Sequence, residues 1–73
     1  MTVVIDVNRV KKEMFKKGLN LTTFSEEVNC TVSYLSQILN RKRIPSSKLA
    51  KKIAEVLEVE VEELFIFDES VVN

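Results

Sequence analysis

The chain has 73 residues, with one cysteine, one glycine, one proline and no histidine, and its eleven basic and eleven acidic side chains give a formal net charge of +0. This length suits a single small domain over residues 1–73, and the scarcity of glycine and proline favours helices over a turn-rich β fold. One cysteine excludes an internal disulfide and fits a reducing cytoplasm. The opening segment MTVVIDV has no signal-peptide pattern, and we expect no membrane span because no apolar run approaches ~18 residues.

The zero net charge conceals an uneven distribution along the chain. Residues 1–52 carry all eleven basic side chains against four acidic ones, a net charge of +7, whereas residues 53–73 carry seven acidic side chains and no basic one. This asymmetry indicates either a surface that binds a polyanion or only a solvated charge pattern on a small helical protein.

Helix signals come in close succession through the first 30 residues. Apolar side chains at helical spacing predict a first helix from Val7 to Lys17, which Gly18 ends. Asn20 is the predicted N-cap of a second helix, and Asn29 suits the left-handed conformation that ends it.

The third predicted helix has two different faces. Thr31 is its N-cap, and Leu35, Ile38 and Leu39 form an inward stripe. Since only three residues separate it from the second helix, the two must cross sharply, which predicts a helix-turn-helix over about residues 20–40. The opposite face is mostly small and polar, and consists of Val32, Ser33, Ser36, Gln37 and Asn40.

The last third of the chain predicts two more helices and an apolar end. Ser46 caps a fourth helix that reaches Glu58, and Glu60 begins a short fifth one. The segments 3–5 and 65–67 are β-prone, and they either pair within the chain, pair across a dimer or simply close the core. The predicted class is all-α, a compact five-helix domain with short β segments at the termini, where residues 1–6 and 66–73 are candidates for dimerisation.

The polar face of the third helix has the chemistry of a DNA-reading surface. An α-helix fits the major groove, where the Gln37 amide can bond adenine bidentately and Val32 can contact a thymine methyl. Ser33 and Ser36 can bond several bases, and Thr31 with the first helical amides can contact a phosphate. The phosphate backbone is the expected partner of the residues that follow the helix, which are Asn40, Arg41, Lys42 and Arg43.

These motifs resemble the phage Cro and repressor-type helix-turn-helix domains, a five-helix fold of bacterial and phage transcription regulators. The resemblance covers about residues 7–65 and implies that Val32, Ser33, Ser36 and Gln37 face the bases while Asn20 and Asn40 flank the backbone. It is carried by Gly18-Leu19-Asn20, by Phe24 and Val28, by the segment TVSYLSQI, by Pro45 and by the closing segment LAKKIAEVLEVEVEELF.

Three departures from the family pattern affect what the resemblance implies. Leu21 stands where the family often has a phosphate-contacting glutamine, so it receives no DNA role. Met14 and Leu39 stand where an arginine often pairs with a glutamate, and packed apolar groups can replace such a pair without loss of stability. Arg41 replaces the glycine that follows the third helix, so the left-handed residue is expected at Asn40.

The sequence therefore predicts a sequence-specific DNA-binding transcriptional regulator, a repressor that binds an inverted-repeat operator as a homodimer. The expected dimer surface is the acidic C-terminal half together with the apolar tip Phe65, Ile66 and Phe67. We expect no enzymatic activity, because there is no histidine and Cys30 has no base partner, and we expect no metal, cofactor or ligand domain. The alternative is a protein-interaction module, an adaptor or antitoxin-like partner that uses the acidic C-terminal half. For the regulator, the expected location is the cytoplasm, at the nucleoid.

Overall fold

The computed structural model describes residues 2–68, so Met1 and residues 69–73 of the candidate dimer segments lie outside the described part. The predicted class is confirmed, since the described chain folds into five helices and one small terminal sheet. In chain order the elements are β1 (Thr2–Ile5), α1 (Val7–Lys16), α2 (Leu21–Val28), α3 (Val32–Leu39), α4 (Ser47–Leu57), α5 (Val61–Leu64) and β2 (Phe65–Asp68).

Side-chain caps begin the first four helices. The predicted caps are present: Asn20 Oδ1 accepts from the Thr23 amide at 2.8 Å, Thr31 Oγ1 accepts from the amide of Tyr34, and Ser46 Oγ accepts from that of Leu49. Asp6, which precedes α1, does the same for the Arg9 amide. Each bond satisfies one of the backbone N–H groups that a helix start leaves without a partner.

Each of these four helices is followed, one or two residues after its end, by a residue with positive φ. These left-handed residues are Gly18 at 69°, Asn29 at 63°, Arg41 at 62° and Glu58 at 60°. After each helix the amide of this residue and the next amide bond back to carbonyls of the last turn, which is the Schellman arrangement. Only the first position is a glycine, so the other three turns hold a side chain in a conformation that L-residues rarely adopt.

The prediction that Asn40 takes the left-handed conformation is wrong, because Asn40 has φ −94° and Arg41 has φ 62°. The reason is the hydrogen bonding after α3. The Arg41 amide donates to the Ile38 carbonyl at 3.0 Å and the Lys42 amide donates to the Gln37 carbonyl at 2.8 Å, a pattern that places the left-handed residue at Arg41. These two hydrogen bonds form although they require a strained, left-handed backbone at Arg41.

The two terminal segments pair with each other within the chain. Strands β1 and β2 are antiparallel, with Val4 opposite Ile66 and Ile5 opposite Phe65. Ile5 and Phe65 face the core, whereas Val4 and Ile66 are exposed on the other side of the sheet. Of the alternatives that the sequence allows, the structure therefore has pairing within one molecule.

Within residues 2–68, one hydrophobic core supports the helix-turn-helix. Helix α2 packs against α3 and α4, and α5 packs against α1 and α4. Leu35 and Ile38 of α3 are fully buried, so the opposite face of α3 is turned away from the core. The largest fully buried side chains are those of Phe24, Leu35, Ile38, Ile53, Leu57, Leu64 and Val10.

Ion pairs join α1 to the acidic C-terminal half. The Arg9 guanidinium contacts Glu13 at 2.9 Å and Glu63 at 2.7 Å, and Lys17 contacts Glu58 at 2.7 Å. Two contacts hold the pKa of the Glu63 carboxyl below its usual value. The larger is the hydrogen bond from the backbone amide of Glu60, and the next is the contact with Arg9. The Lys17 ammonium similarly lowers the pKa of Glu58.

Across residues 2–68, none of the helices combines the length and the apolar character that a membrane crossing requires.

Candidate nucleic-acid interface

The turn between α2 and α3 is short because two residue types fit it. Asn29 takes the left-handed conformation that ends α2, and Thr31 caps α3 two residues later. Phe24 of α2 and Leu35 and Ile38 of α3 are fully buried in the same core cluster. The packing therefore fixes which side of α3 meets solvent.

The four residues expected to face bases lie on that solvent side. Val32 is 39% exposed, Ser33 is exposed, and Ser36 and Gln37 are half-buried. Their spacing of one, four and five residues places them on neighbouring turns of one helix face. This face offers hydroxyl groups, an amide and one apolar group, which are the groups that contact base edges.

Arg43 contacts this face directly, which the sequence did not predict. Its Nε donates to Gln37 Oε1 at 2.8 Å, and its guanidinium carbon lies 6.0 Å from the centre of the Tyr34 ring. All three side chains are at least partly exposed. Arg43 and Gln37 are six apart in sequence and are brought together because the turn at Arg41 folds the chain back after α3.

The other residues expected at the phosphate backbone are exposed, but their side chains differ in what remains free. Arg41 and Lys42 are exposed beside the C-terminal end of α3. Asn20 uses its amide oxygen as a cap, which leaves its NH₂ group for an outside acceptor. Thr31 Oγ accepts from the Tyr34 amide and keeps its hydroxyl proton. Asn40 donates its NH₂ group to the Ser36 carbonyl at 2.9 Å.

Three of the four positions that depart from the family pattern lie around one shallow depression. Met14, Leu21 and Leu39 line it together with Lys11, Ser36 and Asn40, and its volume is about 240 Å³. Met14 of α1 and Leu39 of α3, which stand where the family often pairs an arginine with a glutamate, therefore line the same depression. The sequence analysis did not single out Lys11, which lies three residues before Met14 on the same face of α1.

A second depression, of about 190 Å³, lies between the sheet and the loop after α3. Val4, Ile44 and Arg43 are among the residues that line it. Ile44 is 67% and Ile66 is 56% exposed, which makes them candidates for a contact surface that the sequence predicted only in part. The prediction that Phe65 belongs to the dimer surface is wrong, because its side chain packs in the core and is 3% exposed. The Phe67 side chain lies outside the described part.

The chain matches the model of a known protein family. A family model described as helix-turn-helix (HTH_3) matches residues 10–64, a range that contains all of α2, α3, α4 and α5. No curated protein matches the chain at a significant level.

Proposed function

Since the chain belongs to the Cro/C1-type helix-turn-helix family of DNA-binding transcription regulators, we propose that it is a repressor that binds a defined inverted-repeat operator as a homodimer. The observation that carries this proposal is the exposed face of α3. Its hydroxyl and amide groups stand opposite the buried Leu35 and Ile38, and three basic residues follow the helix directly.

In this proposal α3 enters the major groove and reads base edges. Val32 and Ser33 lie in the first turn of α3, and Ser36 and Gln37 lie one turn later, so the four meet successive base pairs. The Asn40 amide is already bonded to the Ser36 carbonyl, so we expect it to fix the end of α3 in the groove more than to hold a phosphate.

The phosphate backbone supplies affinity without sequence preference. We assign this role to the free NH₂ group of Asn20, to the hydroxyl of Thr31, and to the exposed cations of Arg41 and Lys42. Lys11 joins them, because it lies beside Ser36 and Asn40 at the same depression. Binding through these cations falls steeply as salt rises, because each phosphate contact releases bound counterions.

A second copy doubles the number of base pairs that are read. Two α3 helices about 34 Å apart would occupy successive major grooves on one side of the duplex. The exposed side of the terminal sheet, with Val4 and Ile66, and the neighbouring Ile44 form the apolar surface that we assign to this dimer. A two-stranded sheet also keeps outer strand edges that a second copy can pair with.

Selection of bound sequences from a random duplex pool tests the proposal. A symmetric motif with half-sites one helical turn apart is expected, together with light scattering that gives the mass of a dimer. Lys42→Ala should weaken binding to all duplexes and reduce the salt dependence by about one phosphate contact. The matched control is Lys12→Ala, which removes the same charge from the exposed surface of α1.

A pool without any enriched motif, or binding that ignores salt, would contradict the proposal. A stable complex with a protein partner would then favour the adaptor or antitoxin-like alternative through the acidic C-terminal half. That alternative has less support from the contacts, because Glu58 and Glu63 are already paired with Lys17 and Arg9 of the same molecule. A protein that binds operators in this way is expected to be found at the nucleoid.

A further inference from the structure

The contact between Arg43 and Gln37 changes what the central residue of the reading face offers to DNA. The Gln37 amide has an acceptor end, Oε1, and a donor end, the NH₂ group. A guanidinium group has only donors, so the contact at 2.8 Å engages the acceptor end and leaves the NH₂ group available. Bidentate recognition of adenine requires this acceptor end together with the NH₂ group, and the contact takes up one of the two lone pairs of Oε1.

Adenine and guanine require different hydrogen-bonding groups from such a side chain. In the major groove adenine presents an acceptor at N7 and a donor at N6, so it needs both ends of a glutamine amide. Guanine presents acceptors at both N7 and O6, so it needs two donors. The Gln37 NH₂ group and the terminal N–H groups of Arg43 are two adjacent sources of donors.

Tyr34 adds a reason for Arg43 to stay in this position. Its ring centre lies 6.0 Å from the guanidinium carbon, at the outer limit of a cation–π contact. Tyr34 is held in turn by the start of α3, where its amide donates to the Thr31 cap. The guanidinium therefore has one partner on each of two turns of the same helix.

We propose that Arg43 is a specificity-determining residue, which engages the Gln37 amide oxygen so that the two side chains together donate to guanine. This inference rests on the proposed function and names the base that the α3 face selects at one position. It moves Arg43 from the phosphate backbone, where the sequence placed it, to the base-reading face. Gln37 accordingly reads guanine instead of adenine.

Base substitution in the selected operator tests the inference with the full chain. The position that loses its preference in Gln37→Ala is identified first, and each of the four base pairs is then placed there. The unaltered protein should prefer the base pair that presents guanine to Gln37 over the pair that presents adenine there, by about 5- to 150-fold. This is the range of one good bidentate contact. Arg43→Ala and Arg43→Lys should both bring that ratio close to one.

Three variants separate the positioning of Gln37 from the effect of charge. Arg43→Lys keeps the cation but lacks the planar group, so it should lose discrimination while the salt dependence stays unchanged. Lys42→Ala is the matched control, since it should weaken all four duplexes equally. The double variant Gln37→Ala with Arg43→Ala should discriminate no worse than either single variant, because the two side chains act as a unit.

Three results would overturn the inference. One is selection of adenine at the Gln37 position, and another is a uniform loss of affinity for all four duplexes in Arg43→Ala, which would make Arg43 a phosphate contact. The third is equal binding of all duplexes by the unaltered protein, and this result alone also refutes the proposed function. Arg43 is exposed, so circular dichroism should show that its variants fold normally.

Discussion

Replacement of Arg41 by glycine should make the protein more stable and a poorer DNA binder at the same time. Arg41 has φ 62° in the turn that ends α3, and its side chain is exposed. The two backbone hydrogen bonds of this turn, from the amides of Arg41 and Lys42, do not involve the side chain. Arg41→Gly therefore removes the strain and the charge while both bonds that close the turn remain.

The stability change is the difference between two effects. A non-glycine residue in the left-handed region costs about 1–2 kcal/mol, and glycine avoids this cost. Glycine also makes the unfolded chain more flexible, which lowers stability by about 0.4–1 kcal/mol. The net stabilisation is about 0.5–1 kcal/mol, which for a domain of this size corresponds to a rise in Tm of roughly 2–8 °C.

The DNA effect has the opposite sign. If Arg41 binds a phosphate as proposed, its removal should reduce the slope of log affinity against log salt by about 0.9 for each phosphate that the protein then leaves unneutralised. Thermal unfolding followed by circular dichroism measures the first effect, and DNA titrations at several salt concentrations measure the second.

Arg41→Ala is the matched control for both measurements. It removes the same charge but keeps a Cβ at φ 62°, so it should bind DNA as weakly as Arg41→Gly and gain no stability. Equal Tm values for the alanine and glycine variants would refute the reasoning about strain. A salt slope that neither variant changes would refute the phosphate contact at Arg41.

Three other predictions concern the core, the acid limit and the cysteine. Phe24→Ala empties a fully buried site at a cost of about 3–5 kcal/mol, near the whole stability of a small domain, so its circular dichroism should be that of an unfolded chain. The pKa of Glu63 in the folded protein is lowered from 4.5, so its ionised carboxylate stabilises the fold. This contribution to the free energy of unfolding should be fully present above pH 4.5 and be lost as the pH falls through the lower pKa of the folded state. Glu63→Gln should reduce the loss of unfolding free energy at acid pH, measured by urea unfolding at a series of pH values. An unchanged loss would contradict the assignment. Burial raises the pKa of the Cys30 thiol, so iodoacetamide should alkylate it more slowly in the folded protein than in urea, whereas equal rates would be inconsistent with this burial.

The helices were predictable because their ends are marked by local chemistry. Asn20, Thr31 and Ser46 each cap the helix that the apolar spacing predicted, and such caps depend on residues only three positions apart. The inward stripe of α3 followed in the same way, since Leu35 and Ile38 are fully buried. Family resemblance and periodicity agreed over this part of the chain.

The rest depended on contacts that have no fixed spacing. The bond from Arg43 to Gln37 crosses a left-handed residue, so helical periodicity did not indicate it. The left-handed residue was wrongly predicted at Asn40, because the backbone hydrogen bonds after α3, and not the side-chain preference of asparagine, decide its position. The sequence did not determine the pairing of the terminal strands, since a short β segment alone does not reveal its partner.

The small sheet also governs how the molecule can be assembled. Its first strand comes from the beginning of the chain and its second strand follows α5, so all five helices must be synthesised before the two can meet. During translation the nascent N-terminal segment waits without a partner, and closure of the sheet is a late step. A protease that trimmed the C-terminal strand would also release the N-terminal one and uncover Ile5, so damage at one end of the polypeptide is transmitted to the other.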